Sequence, residues 1–301
     1  MPAWASAGFL NAITSYQPQG WSFYNGLDLQ MQRRFSKGLL FLAAYTWSRN
    51  IDNSTDTLNS SALSQRRVPD MGDLTQEKAT SALDRRNRIS ISSVYDLPFL
   101  KDSRNWFYKN IVGNWQFSPE YIYESPEYFT VSSGVNTNLN GDSGAISRTI
   151  LNPGGAAGTG TAVYGLDKNG NRIAYNAATA SVNTVVAWVA INPNARYVQA
   201  AVGALANTGR NTEPTRPIDN LDFTIMKRFQ IRERAKLEFS AQAFNLFNHA
   251  QFTPGSLNDV GAVGTSGSTA YVTVNNVNFN NPEKAFGSNA RTVQIVAKFI
   301  W

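Results

Sequence analysis

The sequence predicts an all-β chain that forms a segment of an antiparallel transmembrane β-barrel with long external loops, and three observations predict it. About seven segments of roughly ten residues alternate apolar and polar side chains, the period of a strand with two different faces. Their connections alternate between short and very long. The composition removes the main competing classes.

The strands follow in order. In 23–33, Leu27, Leu29 and Met31 alternate with Asp28, Gln30 and Gln32. In 38–48, Leu39, Phe41, Ala43, Tyr45 and Trp47 share a face whose reverse is only partly polar. Segment 87–97 sets Ile89, Ile91, Tyr95 and Leu97 against Arg88, Ser90, Ser92 and Asp96. Segment 113–123 sets Trp115, Phe117, Tyr121 and Tyr123 against Gln116, Ser118 and Glu120, with Pro119 inside it. A proline there removes a ladder hydrogen bond, so a bulge or a shifted register is expected. Segment 220–229 carries Leu221, Phe223 and Ile225 opposite Asp222 and Thr224, and 235–245 carries Leu237, Phe239, Ala241 and Ala243 opposite Lys236, Glu238, Ser240 and Gln242. The last segment alternates Val293, Ile295, Ala297, Phe299 and Trp301 with Thr292, Gln294, Val296, Lys298 and Ile300.

The links 34–37 and 230–234 are tight and 98–112 is moderate, whereas 49–86, 124–219 and 246–290 are long. Unstructured loops beyond about 12–15 residues are uncommon in compact soluble domains. Here they fall on every second connection, which places them all on one side of a meander. Sorted loops and two-faced strands of this length are the layout of a transmembrane β-barrel. Strands of a soluble sandwich are commonly nearer five or six residues. Aromatic residues at strand ends, such as Tyr45, Trp47, Tyr121, Tyr123, Phe299 and Trp301, suit the headgroup level of a bilayer.

Composition narrows the function. The 301 residues include 27 Lys+Arg, 21 Asp+Glu, one His and no Cys, which excludes a disulfide framework, a Cys nucleophile and a multi-histidine metal site. Charged residues are 16%, too few for a disordered tail, and no apolar run approaches the roughly 18 residues of a spanning helix. The net charge of +6 is scattered apart from Arg-Arg pairs at 33–34, 66–67 and 85–86, so nucleic acid is not an expected partner. The start of the chain lacks the basic, then apolar, pattern of a signal peptide. Seven strands ending on the short-turn side cannot close as an even-numbered barrel, and open edges in lipid leave backbone groups unsatisfied. The expectation is the C-terminal portion of a larger barrel, with 1–20 as the tail of a preceding external loop.

Particular residues carry a resemblance. Ser22-Phe-Tyr-Asn-Gly-Leu-Asp-Leu-Gln-Met-Gln-Arg-Arg-Phe-Ser-Lys-Gly-Leu39 and Tyr45-Thr-Trp-Ser-Arg-Asn-Ile-Asp52 resemble a strand pair of Oar-like TonB-dependent outer-membrane receptors. Asp84-Arg-Arg-Asn-Arg88, Tyr95-Asp-Leu-Pro-Phe99, Asn207-Thr-Gly-Arg-Asn211, Phe244-Asn-Leu-Phe-Asn-His-Ala-Gln-Phe252 and Phe286-Gly287 follow in the expected order. The closing Gln294-Ile-Val-Ala-Lys-Phe-Ile-Trp301 resembles the family's terminal strand, with Trp in place of the more usual Phe. Glu124-Ser-Pro-Glu-Tyr-Phe-Thr130 departs from the Gln-Ser-Gly-type turn of such receptors. The resemblance implies a 22-stranded barrel around a plug domain, a bacterial outer-membrane location, and solute uptake energised by a TonB complex pulling on the plug. It implies that the barrel-assembly machinery recognises the terminal row Val293, Ile295, Ala297, Phe299 and Trp301. Plug and signal peptide lie outside this sequence, so the chain is not competent for that uptake alone.

His249, without a second His or a Cys, reads as a loop residue rather than a general base. Gly154, Gly155, Gly158 and Gly160 lack the following Lys and helix of a phosphate loop and read as a flexible loop. Asp167-Lys-Asn-Gly-Asn171 has Ala178 where a calcium loop needs its bidentate Glu, and reads instead as a type I′ hairpin between Val163-Tyr164 and Ile173-Ala174-Tyr175. Arg85, Arg86 and Arg88 are read as plug-facing or rim residues. The polar faces supply lumen candidates Asp28, Gln30, Gln32, Arg88, Gln116, Glu120, Asp222, Lys236, Glu238 and Gln242, whose mixed signs suggest a salt-bridged wall. No enzymatic site and no cofactor is expected. The expected partners are outer-membrane lipid, the plug, the TonB complex through the plug, and the assembly machinery. The alternatives are a plugless outer-membrane pore or adhesin-like protein built from several copies, and a soluble secreted β-rich binding module or hydrolase, whose apolar rows would be covered by a second layer.

Overall fold

The computed structural model describes residues 8, 18–54, 68, 72–135, 148–174, 184–201, 204–232, 235–252 and 270–301. Most of 1–20, together with Tyr175 and Ala178, lies outside them.

The seven alternating segments form one antiparallel meander. Its strands, in spatial and chain order, are β1 (Ser22–Ser36), β2 (Leu39–Asp52), β4 (Asn87–Asp96), β5 (Trp115–Glu124), β14 (Ile218–Gln230), β15 (Lys236–Phe244) and β16 (Thr292–Ile300). The two-residue β3 (Ala79–Thr80) adds to the far end of β2. Every long strand pairs with its sequence neighbour in this order, and the register preserves the two faces. Leu29 lies opposite Tyr45, Tyr45 opposite Ile89, Ile91 opposite Tyr121, Phe117 opposite Ile225, Ile225 opposite Ala241, and Ala241 opposite Ile295. The reverse face stacks Asp28 on Thr46, Arg88 on Glu124, Asp96 on Gln116 and Arg228 on Glu238. A slip of one residue anywhere would exchange the faces, so this agreement fixes the register.

Two local expectations are corrected. The first link is shorter than 34–37: Lys37 and Gly38, with φ of 52° and 81°, make a two-residue turn of the type whose twist matches the flanking strands. A side chain at Gly38 would come within 2.6 Å of the Asp96 carbonyl, so only glycine fits there. Pro119 produces neither a bulge nor a register shift. It pairs with Phe223 on one side, while pairing with β4 lapses at Ser93 and Val94 and resumes unchanged at Tyr95. The moderate 98–112 link contains a π-helical turn, Tyr108–Val112.

Among the described residues no second sheet or helical layer covers the apolar face, which is most open on the edge strands. Met31 is 61% exposed, Val293 60% and Ile295 79%, and β1 is exposed along its whole length. The buried apolar cluster lies instead among the long loops: Phe129, Val131, Tyr197, Tyr271 and Val274, with Phe279 and Phe286 packed against it. This inverts the soluble β-protein, in which the sheet's apolar rows make the core. Among the described residues no second layer covers the sheet, which goes against the covered-sheet alternative.

The loops carry their own small sheets. β6 (Tyr128–Phe129) pairs with β13 (Glu213–Pro214). β12 (Ala195–Val198) lies between β7 (Ile150–Leu151) and β8 (Ala156–Thr161), and β9 (Val163–Leu166) lies between β10 (Arg172–Ala174) and β11 (Ala187–Ala190). The Gly-rich run is therefore not a flexible loop. It enters β8, where a side chain at Gly155 would fall 2.4 Å from the Ala195 carbonyl oxygen, so glycine permits the close approach of β12. The hairpin at Asp167 exists, but its turn is not type I′. Only Gly170 has positive φ, the Gly170 N–H donates to the Asp167 carbonyl, and Asp167 Oδ1 accepts from the N–H groups of Asn169 and Asn171. Those bonds hold the Asp167 carboxyl below the usual carboxylate range.

Candidate functional site: the loop cap and the polar wall

Two polar constructions stand out, one at each end of the sheet. At the long-loop end the loops are clamped to the strands by buried charges. Arg210, 2% exposed, donates through Nε to the Glu77 carbonyl at 2.9 Å and through Nη2 to the Asp52 carbonyl at 2.5 Å, and it pairs with the Asp52 carboxylate. Arg148 Nη2 bonds both carboxylate oxygens of Glu77 at 2.9 Å. Burial and the neighbouring Arg210 lower the Arg148 guanidinium to about 10. Asn211 Nδ2 donates to the Thr80 carbonyl at 2.7 Å, while Asn211 Oδ1 accepts from Thr130 Oγ1 at 3.0 Å. One short stretch thus joins β2, the 3-10 turn Leu74–Glu77 and the second long loop.

The third long loop is tied in similarly. The Asn245 N–H donates to Asp222 Oδ1, and its side-chain amide donates to the carbonyls of His249 and Asn289. Gln251 Oε1 accepts from the Asp219 N–H at 2.7 Å. In the cap core, Tyr271 donates to Asn280 Oδ1, and Asn280 Nδ2 donates to the Gly158 carbonyl and to Glu213 Oε1. Burial pushes the Glu213 carboxyl up and the Tyr271 phenol up to about 12. The described part of the cap is therefore packed around a core of its own. Beside it, Arg216, Asp219, His249, Gln251, Phe279 and Glu283 help to line an open cleft of about 640 Å³. His249 Nδ1 lies 3.2 Å from Asp219 Oδ2 in an exposed pair. Among the described residues no three His, Cys, Asp or Glu side chains gather as metal ligands.

The sequence-chosen residues divide between the two ends. Arg85 binds Glu127 at 2.6 Å and lies 3.8 Å from Glu124, Arg86 pairs with Asp84 at 3.4 Å, and Arg88 binds Glu124 at 2.9 Å while remaining 63% exposed. This is a rim network joining the first and second long loops. At the short-turn end Arg228 bonds Glu238 at 3.2 Å and Asp96 at 3.3 Å, Gln116 donates to Asp96 at 2.6 Å, and Lys236 lies 3.8 Å from Glu238. Gln116, Lys236 and Glu238 are thereby brought together on the polar wall. Asp28 stands apart, accepting from Thr46 Oγ1 at 2.6 Å, and Glu120 faces Asp222 across the strands. On the terminal strand Val293, Ile295, Ala297 and Phe299 form one outward row, and Trp301 stacks on Phe299 with ring centres 5.7 Å apart.

Sequence reasoning missed Arg228, Arg148 and Glu77 as network members, and it treated Arg210 and Asp52 only as parts of quoted motifs. The available signal was that most of those motifs end at a strand–loop junction. Asp52, Asp84, Arg210, Asn211, Asn245 and Gln251 all proved to be the residues that tie loops to strands.

Among the described residues no helix is long and apolar enough to cross a membrane, a result that says nothing against strands. No curated protein and no solved structure matches the chain. A family model described as an outer membrane beta barrel domain matches residues 2–298, nearly the full length. With a sheet whose apolar face is bare and whose polar face is hydrogen-bonded to itself, the match has a physical counterpart: the chain belongs to the outer membrane beta barrel domain family and resides in the bacterial outer membrane.

Proposed function

We propose that the chain is the C-terminal part of the barrel of an Oar-like TonB-dependent receptor, which takes up solute with energy delivered through a plug domain. The observation that carries this reading is the pair of sheet edges. Among the described residues β1 pairs only with β2 and β16 only with β15, leaving a 15-residue and a 9-residue edge. Backbone groups exposed to hydrocarbon are too costly to leave unpaired, so further strands complete the wall.

The polar wall supports the same reading. Its charges neutralise one another through Arg228, Asp96, Glu238 and Lys236, as suits a surface packed against a plug rather than a ring of one sign. Arg88, Asp28, Gln116, Glu120, Asp222, Lys236 and Glu238 would face that plug, with Arg85 and Arg86 bracing the rim. The loop cap would meet the solute, and the terminal row ending in Trp301 would be read by the barrel-assembly machinery.

The test is the native polypeptide itself. Extracted from outer membranes, it should be a heat-modifiable species much heavier than 33.1 kDa, with plug and barrel on one chain, and uptake should fail in cells lacking the TonB complex. A species of 33.1 kDa assembled in several copies, passing solute without TonB, would replace this reading with the plugless pore.

A further inference from the structure

The 98–113 link does not hang below the sheet. Lys227 occupies the apolar row of β14, opposite Trp115 and Phe239, yet it is only 5% exposed. Its Nζ donates to the carbonyl of Ile111 at 3.0 Å and to that of Gly113, and it sits over the Trp115 ring at 4.7 Å. Asn110, 1% exposed, accepts from the Gln230 N–H at 2.8 Å. The π-helical turn Tyr108–Val112 is thus fastened to the outer, apolar side of the wall, and its carbonyls satisfy a cation that hydrocarbon would not tolerate.

The turn then presents apolar side chains outward. Trp106 is 64% exposed and Phe107 54%, with Tyr108, Ile111, Val112 and Phe99 exposed beside them. Lys101, Arg104 and Lys109 accompany one acid, Asp102, in the same link. A packed backbone, an outward aromatic and aliphatic surface, and cations in the same link at the short-turn end match the acyl–headgroup boundary of a leaflet.

We propose that the 98–113 link is an interfacial foot that binds phospholipid of the inner leaflet of the outer membrane. Trp106, Phe107, Ile111 and Val112 enter the acyl boundary, and Lys101, Arg104 and Lys109 meet lipid phosphates. The proposal rests on membrane embedding of the strands and is independent of TonB coupling.

The chain has no cysteine, so single introduced cysteines are unique within it. Spin labels at Trp106→Cys, Ile111→Cys and, as the strand control, Ile295→Cys are compared in phosphatidylethanolamine–phosphatidylglycerol vesicles. The protein is used with whatever it copurifies. All three labels should collide with oxygen in preference to a water-soluble nickel chelate. If Ile295→Cys behaves so while positions 106 and 111 meet nickel, or are shielded from both probes, the foot is overturned and the embedded sheet stands. If Ile295→Cys also fails, the embedding itself is wrong. Replacing Lys101, Arg104 and Lys109 by Gln should move the 106 label toward water, and an unchanged depth would overturn the headgroup contacts. Without labels, the difference between wild-type and Trp106→Phe emission isolates Trp106, and brominated lipid should quench it; an unquenched difference would overturn the proposal.

Discussion

Replacing Arg210 by Ala removes the guanidinium at the centre of the clamp. It takes away the hydrogen bonds to the Glu77 and Asp52 carbonyls and the cation facing the Asp52 carboxylate, itself 1% exposed. Breaking one side of a buried pair typically costs about 3–5 kcal/mol. At about 1.4 kcal/mol per decade, that corresponds to local opening roughly two to three and a half decades more frequent. The clamp belongs to the cap, whereas the seven-strand ladder does not depend on Arg210. Amide hydrogen exchange read residue by residue should therefore accelerate at Ser81, Thr208 and Asn211, whose N–H groups bond Asn50, Thr149 and Thr130, and remain unchanged at Ile225 and Ala241 in the sheet. Arg210→Lys should fall between, because an ammonium keeps the charge but not the fork. Acceleration below tenfold at all three cap amides would refute the clamp, and equal acceleration in β14 and β15 would refute the separation of cap from wall.

Four further outcomes follow. Gly155→Ala drives a methyl into the Ala195 carbonyl and should destabilise the cap by about 1–3 kcal/mol, measured by the same exchange. Because burial raises the Glu213 carboxyl, the folded cap holds its proton more tightly than the unfolded chain does. Cap stability should then fall as pH rises through the window just above the ordinary carboxylate value, and Glu213→Gln should flatten that dependence in thermal scans. Arg228→Ala removes partly exposed pairs and should change wall stability by no more than about 1 kcal/mol in denaturant titrations of the folded barrel. Ile295→Arg puts a charge on the lipid face and should cost about 2–4 kcal/mol if midplane, whereas Gln294→Arg on the opposite face should be tolerated, both read as folded fraction on heat-modifiability gels.

The wall was legible in the sequence because its determinant is local. A period of two over nine to fifteen residues specifies both strand and face, and a meander needs only neighbours to pair. Leu27, Leu29 and Met31 therefore named their own environment. The cap was not legible, because its core draws Phe129, Tyr197 and Tyr271 from positions up to 142 residues apart with no periodic signature. The Gly154 to Gly160 run was read as flexible for the same reason: its use is a close contact with β12, which sequence does not display. On the polar wall, Lys236 and Glu238 were visible from alternation, but the Arg228 that links Glu238 to Asp96 needed the register between β14 and β15. Lys227 is the clearest failure of pattern alone, an isolated cation in an apolar row whose partners are carbonyls more than a hundred residues earlier.

Hydrocarbon solvates the bare face of the sheet, and lipid photolabelling tests this directly. Outer membranes containing the protein can be photolabelled with a lipid carrying a mid-chain diazirine and the adducts placed by mass spectrometry. Adducts are expected on Leu27, Leu29, Met31, Ile295 and Phe299 and not on Asp28, Gln30 or Gln294. Adducts spread equally over both faces, or missing from the apolar rows, would contradict hydrocarbon solvation.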